Sequence, residues 1–178
     1  ATAVITSTAL GMMFLAGVSF AQFLSLFISV IVILAGIAVS SPYRLERITV
    51  FLNPWANQYD SGYQLTQALI AFGRGGWTGE GLGQSIQKLF YLPEAHTDFV
   101  FAVFAEEMGL LGVIVVVILF CIFVYRAFRI GKVAETNEKY FSAYLAYGLA
   151  LWIGIQSIVN MGVNAGLLPT KGLTLPFI

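Results

Sequence analysis

Residues 99–124, FVFAVFAEEMGLLGVIVVVILFCIFV, decide the fold. An α-helix rises 1.5 Å per residue, so about 20 apolar residues cross a hydrocarbon core of roughly 30 Å. This run is long enough, and its only charges are Glu106 and Glu107. Carboxylates are costly in hydrocarbon, so this is not a plain lipid-facing span; it implies a pocket or a buried partner. At about 100° per residue, Glu106 lies about 80° round the helix from Asp98, and Glu107 lies nearly opposite it. The three carboxylates cannot converge on one point. The plainer reading of Glu106 and Glu107 is a structural ion pair with a cation from elsewhere in the full protein.

Composition agrees with a membrane setting. Of 178 residues, 58% are hydrophobic and 10% charged, with a mean hydropathy of +0.85. Soluble domains carry about 25% charged residues. Nine Lys and Arg balance nine Asp and Glu, so no basic field points to nucleic acid. The single cysteine, Cys121, excludes an internal disulfide and reads as packing. The chain opens inside an apolar pattern with neither Met nor a basic signal flank, and it stops without a polar tail. It is therefore expected to be a fragment of a longer protein.

Three more spans are expected, over about residues 1–18, 23–40 and 140–163. Ala21-Gln22 would be a very short turn between the first two, and Ser41-Pro42 would stop the second. The fold class is then all-α and polytopic, with four transmembrane helices. Residues 42–98 form a long connection. Tyr43-Arg44-Leu45-Glu46-Arg47 is amphipathic and basic, and Asn53-Pro54-Trp55 signals a turn with an interfacial aromatic. Asp60-Ser61-Gly62 would cap a short helix over 63–72, with Gln64 and Gln67 on one face. Gly73-Arg74-Gly75-Gly76 would end it, and Gly79-Glu80-Gly81-Leu82-Gly83 would keep the chain flexible. Such a long connection points to function, so it is expected to fold over the membrane surface and form a site. The glycines fit no phosphate loop: no strand precedes them and no Lys-Ser/Thr follows.

Orientation follows from the basic residues. Arg126, Arg129, Lys132 and Lys139 crowd residues 125–139, whereas 42–98 spreads four Lys or Arg over a much longer stretch. The first connection is the better cytoplasmic candidate, which places residues 42–98 outside. The stretch from Gly166 to Pro176, broken by Pro and Gly, falls on that same outer face, so Lys171 and Asp98 could meet. On the fourth span, Gln156 and Asn160 at i,i+4 form a polar stripe suited to helix–helix contact.

Leu92-Pro93-Glu94-Ala95-His96-Thr97-Asp98-Phe99, at the mouth of the third span, holds the only histidine. Thr97 or Asp98 reads either as a helix cap or as a chemical group. His96 reads more simply as a loop hydrogen-bonding residue than as a ligand, since zinc wants three or four His, Cys or carboxylate ligands. Lys171 reads by default as an interfacial anchor. No Ser–His–Asp or Cys–His arrangement is visible.

Taken together, several motifs resemble the SEDS family of bacterial membrane proteins. They are Asn53-Pro54-Trp55, Ser61-Gly62-Tyr63-Gln64, Gly81-Leu82-Gly83-Gln84-Ser85, Leu92 to Phe99, Glu106-Glu107-Met108-Gly109 and Leu168-Pro169-Thr170-Lys171-Gly172-Leu173-Thr174-Leu175-Pro176. The pattern LGQSIQK…YLPEAHTDF is closer to the cell-division branch than to the elongation branch. The resemblance implies a peptidoglycan glycosyltransferase that polymerises lipid II, an undecaprenyl-pyrophosphoryl disaccharide pentapeptide. It would work on the outer face of the bacterial cytoplasmic membrane, at the division septum. The family's essential loop aspartate maps onto Asp98, and the lysine of its late proline-bounded loop maps onto Lys171. The family has about ten spans against the four expected here, so the fragment alone should be inactive. The implied partners are a class B penicillin-binding transpeptidase of the FtsI type and the FtsQ–FtsL–FtsB complex.

The implied reaction inverts an α-linked sugar diphosphate to a β-1,4 bond. Because diphosphate leaves readily, one general base suffices in place of a glycosidase's carboxylate pair. Asp98 is the candidate base on the acceptor 4-hydroxyl. Lys171, with a divalent cation such as Mg2+ or Mn2+, would offset charge on the leaving group. Holding that cation is the competing role for Asp98. His96, Glu94, Gln64 and Gln67 are further candidates for substrate contact, and Glu106 and Glu107 for the cavity. Two other classes share the same features: a lipid II transporter with Glu106 and Glu107 on its path, and a non-catalytic division scaffold.

Overall fold

The computed structural model describes residues 2–40, 42–92, 96–169 and 172–177. All regular structure among them is helical. Six α-helices follow in order: α1 (Thr2–Leu15), α2 (Phe20–Val39), α3 (Pro42–Leu52), α4 (Tyr63–Gly75), α5 (Val100–Thr136) and α6 (Tyr140–Asn164). A 3-10 turn at Pro54–Asn57 and a π-helical turn at Gln87–Tyr91 lie between α3 and α5. Of the six, α2, α5 and α6 are long and apolar enough to cross a membrane, and the apolar α1 is shorter, at 14 residues.

Three local expectations need correction. Ala21 and Gln22 are not a turn; they lie in the first turn of α2, where Ser19 Oγ donates to Gln22 Oε1 at 2.8 Å. The chain turns earlier, at Gly17, whose φ of 80° glycine adopts without steric cost. Second, residues 125–139 are not a loop. α5 runs on through Thr136, and only Asn137–Lys139 separates it from α6. Arg, Lys, Ala and Glu are all good helix formers, and no proline interrupts them. Third, Asp60 and Ser61 do not cap α4: Gly62 holds the N-cap position with no side-chain bond, and the helix runs three residues past Phe72. The connection from 42 to 98 also holds more helix than expected. Its basic amphipathic segment is α3, opened by Pro42, whose fixed φ and missing N–H suit a first helical turn.

The chain divides into two units, Ala1–Ser41 with Leu119–Ile155, and Pro42–Ile118 with Gln156–Ile178. In the first, small residues bring helices close. A Cβ on Gly11 would stand 2.9 Å from Leu151 Cδ1, and Gly148 faces Met12. The Phe128 and Tyr147 rings lie 5.6 Å apart. Close approach of this kind is how helices associate where burial alone supplies little drive. In the second unit, Ala68, Ala71, Leu92, Phe99 and Ala102 form a buried cluster that seats α4 against the start of α5.

Candidate functional site

The second unit is built round a break in α5. Gly109 has φ 65° and ψ −169°, which is not helical. In an unbroken helix Leu110 and Leu111 would donate to the carbonyls of Glu106 and Glu107. Here residues 76–81 replace both bonds. Leu110 N–H donates to Gly76 O at 2.9 Å and Leu111 N–H to Trp77 O at 3.2 Å. In return Glu80 N–H donates to Glu106 O at 3.0 Å and Gly81 N–H to Glu107 O at 3.1 Å. An unpaired backbone group in an apolar setting costs several kcal/mol, and this exchange leaves none of the four open. The contact requires glycine on both sides. A Cβ on Gly79 would overlap Glu107 O, and one on Gly109 would overlap Gly79 N. The glycine-rich stretch expected to be flexible is thus a fixed insert in a helix.

The two glutamates beside the break secure it. Glu106 is fully buried. Its carboxylate accepts from Ser85 Oγ at 2.5 Å and from the amides of Ile86 at 3.4 Å and Gln87 at 3.3 Å. Arg74 Nη1 lies 3.4 Å from it. Glu107, on the other side of the helix, accepts from Lys88 Nζ at 2.7 Å. A separate partner for each carboxylate is what their angular separation requires. The cations come from this chain, not from elsewhere in a full protein: Arg74 ends α4, and Lys88 lies in the π-helical turn.

Asp98 is held from α6. Gln156, Asn160 and Asn164, at successive i,i+4 positions, form one stripe. Asn164 Nδ2 donates to Asp98 O at 2.9 Å and to Asn160 O at 2.9 Å, while its Oδ1 accepts from Ala102 N–H at 3.1 Å. Asn160 Nδ2 donates to Asp98 O at 3.0 Å and also to Leu173 O. Gln156 Nε2 donates to Thr174 O at 3.0 Å. The stripe therefore ties together the entry to α5 and the segment at 172–175, beyond the helix–helix contact expected of it. Asn164 and Asn160 are 0% and 2% exposed, so these bonds form out of water, where an unmade bond is expensive. The Asp98 carboxylate lies against the same segment, with the position of a Cβ on Gly172 standing 2.8 Å from Asp98 Oδ2.

The remaining candidates separate. Lys171 and Glu94 lie outside the described residues. His96 is exposed in the turn before α5. Gln64 and Gln67 are half-buried on α4. Sequence reasoning missed Asn164, Arg74, Ser85 and Lys88. Asn164 had a signal, since it extends the Gln156–Asn160 stripe by one more step of four. The other three had none beyond their proximity to glycines.

Long apolar helices, carboxylates paired beside a helix break, and an aspartate gripped by buried amides define a multi-pass helical membrane protein with a built polar site. The FtsW/RodA/SpoVE family, described as cell cycle proteins, matches residues 1–178, and the chain belongs to that family. It is 62% identical over 178 residues to a Legionella pneumophila protein named "Probable peptidoglycan glycosyltransferase FtsW", covering 100% of this chain and 45% of that one. A Coxiella burnetii protein of the same name is 61% identical over 178 residues, with 48% of its length covered. The chain spans about half the length of these curated relatives. A chain from a solved peptidoglycan synthase complex shares the fold, with a TM-score of 0.72 over 97% of this chain and 47% of that one, at 24% identity.

Proposed function

We propose that the whole protein is a peptidoglycan glycosyltransferase that polymerises lipid II during septal wall synthesis, with Asp98 at the reacting centre. Family membership and the names of its relatives support the activity. The observation that carries the site is the double grip on Asp98: two buried amides fix its carbonyl while its carboxylate rests against Gly172, next in sequence to Lys171. Holding a base to within a fraction of an ångström is what general-base catalysis asks of a scaffold.

Asp98 takes the proton of the acceptor 4-hydroxyl. That oxygen then forms its bond to the donor's anomeric carbon as the bond to diphosphate breaks, and the departing anion leaves beside Lys171. No group of three metal-ligating side chains is present among the described residues, so the donor set does not form an all-protein cage. Holding a magnesium-like ion, which needs few protein ligands, would be the competing role of Asp98 in place of the base. Such an ion would supply charge neutralisation for the leaving group. The basic residues gathered at the end of α5, Arg126, Arg129 and Lys132, with Lys139 just past it, support a cytoplasmic end there and an outer-face location for Asp98. An FtsI-type transpeptidase and the FtsQ–FtsL–FtsB complex complete the assembly in this reading.

A lipid II transporter using Glu106 and Glu107 as transit groups has less support, because Ser85, Arg74 and Lys88 already engage both. The test uses the full-length parent protein with its transpeptidase and labelled lipid II, comparing wild type, Asp98→Asn and Lys171→Ala. Glycan polymer that disappears in Asp98→Asn while lipid II still binds is the expected result. Polymer that persists in Asp98→Asn overturns the catalytic role, and lipid movement without any polymer would favour transport.

A further inference from the structure

The backbone does not explain why residue 172 is glycine. Gly172 lies in an irregular stretch and is not among the described glycines with positive φ, so an L side chain suits its conformation. Alanine there would restrict the unfolded chain and so favour the fold. Elsewhere in the second unit glycine lets backbones approach: a Cβ on Gly75 would meet Ala105 O, and one on Gly62 would meet Pro54 O. Gly172 differs. Its Cβ position stands 2.8 Å from Asp98 Oδ2 and 3.8 Å from Asp98 Cγ. Among the described residues, its own chain neighbours aside, no other atom lies within 4 Å of that point. It is the one described glycine whose Cβ position has a carboxylate oxygen as nearest neighbour. The point lies out beyond the oxygen rather than over the carboxyl carbon, roughly where such an oxygen accepts hydrogen bonds. Its distance is also that of an O–H···O bond, about 2.5–3.0 Å. Gly172 is exposed and Asp98 half-buried, so a substrate oxygen can reach the gap.

The two walls of this gap are held at a fixed spacing. Asn160 Nδ2 donates both to Asp98 O and to Leu173 O, Asn164 grips Asp98 O from the same helix, and Gln156 holds Thr174 O. Leu175, 2% exposed, buries the segment just beyond. A methyl group on residue 172 could not be taken up by sliding the segment, so the Asp98 carboxylate would have to swing aside. We infer that Gly172 is a specificity-determining residue of the reaction, keeping open, by having no side chain, the seat beside Asp98 Oδ2 that receives the acceptor hydroxyl. The inference rests on the function proposed above and adds to it the residue that shapes the place of proton transfer. The hydroxyl donates to Oδ2 across the gap. Its proton passes to Oδ2 as its oxygen bonds to the donor's anomeric carbon and the bond from that carbon to diphosphate breaks. A side chain at residue 172 takes the same space and turns the base away from its proton.

The test uses the full-length protein with its transpeptidase and labelled lipid II, in wild type, Gly172→Ala and Asp98→Asn. Gly172→Ala should lower kcat about a hundredfold, the cost of a displacement near 1 Å at reacting atoms. Its melting midpoint in detergent should stay at or slightly above that of wild type. A second measurement needs no turnover: labelled lipid II is displaced by unlabelled lipid II or by an analogue lacking the acceptor 4-hydroxyl. Wild type should prefer the hydroxyl-bearing competitor at least about fivefold, and Gly172→Ala should show no preference. A general structural defect would weaken both competitors alike and leave the preference in place. Wild-type turnover in Gly172→Ala, a preference that survives in it, or a lowered midpoint overturns the inference. Polymer lost in Asp98→Asn but made at the wild-type rate by Gly172→Ala removes the seat and leaves the base standing. Polymer that persists in Asp98→Asn removes the base, and the seat with it.

Discussion

Asn164 shows how much one amide can fix. Both of its side-chain atoms are committed, with Nδ2 on the carbonyls of Asp98 and Asn160 and Oδ1 on the amide of Ala102. Asn164→Ala leaves Asp98 O with Asn160 alone and removes the acceptor at Ala102. The predicted result is a fall of at least about tenfold in kcat for lipid II polymerisation with little change in KM, because alignment is lost and binding is not. Steady-state kinetics on the purified full-length complex checks this, and a fall through KM alone would contradict it. The two glutamates make a second residue-level test. Truncating a buried ion-pair partner costs about 3–5 kcal/mol, whereas exposed pairs contribute roughly 0–1 kcal/mol. The Glu106 side chain is 0% exposed and that of Glu107 is 15%. Glu106→Ala should therefore lower the thermal midpoint markedly more than Glu107→Ala in detergent melting curves. Sequence alone showed that Asp98, Glu106 and Glu107 could not all face one point, because helical geometry fixes their directions. It could not identify Arg74, Ser85 and Lys88, since pairing across a loop leaves no periodic trace.

At the scale of elements, helices were legible and the join between them was not. Apolar runs of spanning length located α2, α5 and α6, while their ends shifted because good helix formers carry α5 through the basic residues to Thr136. Residues 79–83 read as flexible because glycine marks a backbone free to take positive φ without saying whether that backbone is held. Here it is held by hydrogen bonds from a break that no proline announces. Gly79→Ala and Gly109→Ala each combine a left-handed backbone, which costs roughly 1–2 kcal/mol for other residues, with direct overlap across the contact. Both should destabilise the protein by more than that figure. Gly73→Ala, where a Cβ meets nothing within 4 Å, should leave stability the same or slightly raised. Parallel melting curves for the three variants separate the cases, and equal midpoints would show that the insert bears no strain.

For the whole molecule, the distribution of basic residues predicts sidedness. In a full-length protein whose native cysteines, Cys121 included, are replaced by serine, a cysteine at Asp60 should react with a membrane-impermeant maleimide on intact cells, and one at Asn137 should react only after the membrane is opened. The reverse pattern would place Asp98 on the cytoplasmic face and remove it from any extracellular chemistry. Two parts of the second unit far apart in sequence, residues 98–102 and 172–175, meet through α6; that juxtaposition could be expected from sidedness, and the i,i+4 stripe was visible, but not which backbone groups its amides hold. The exchange at Gly109 also sets a timetable for biogenesis. Residues 76–81 leave the ribosome before their partners at 106–111, so the loop must wait, its donors and acceptors solvated by water, until α5 is delivered. The loop cannot mature as a free-standing hairpin, and the helix cannot settle as an ordinary stop-transfer segment. Neither is complete without the other, so a nascent chain arrested short of Leu111 should expose the glycine stretch to proteases that spare the finished protein.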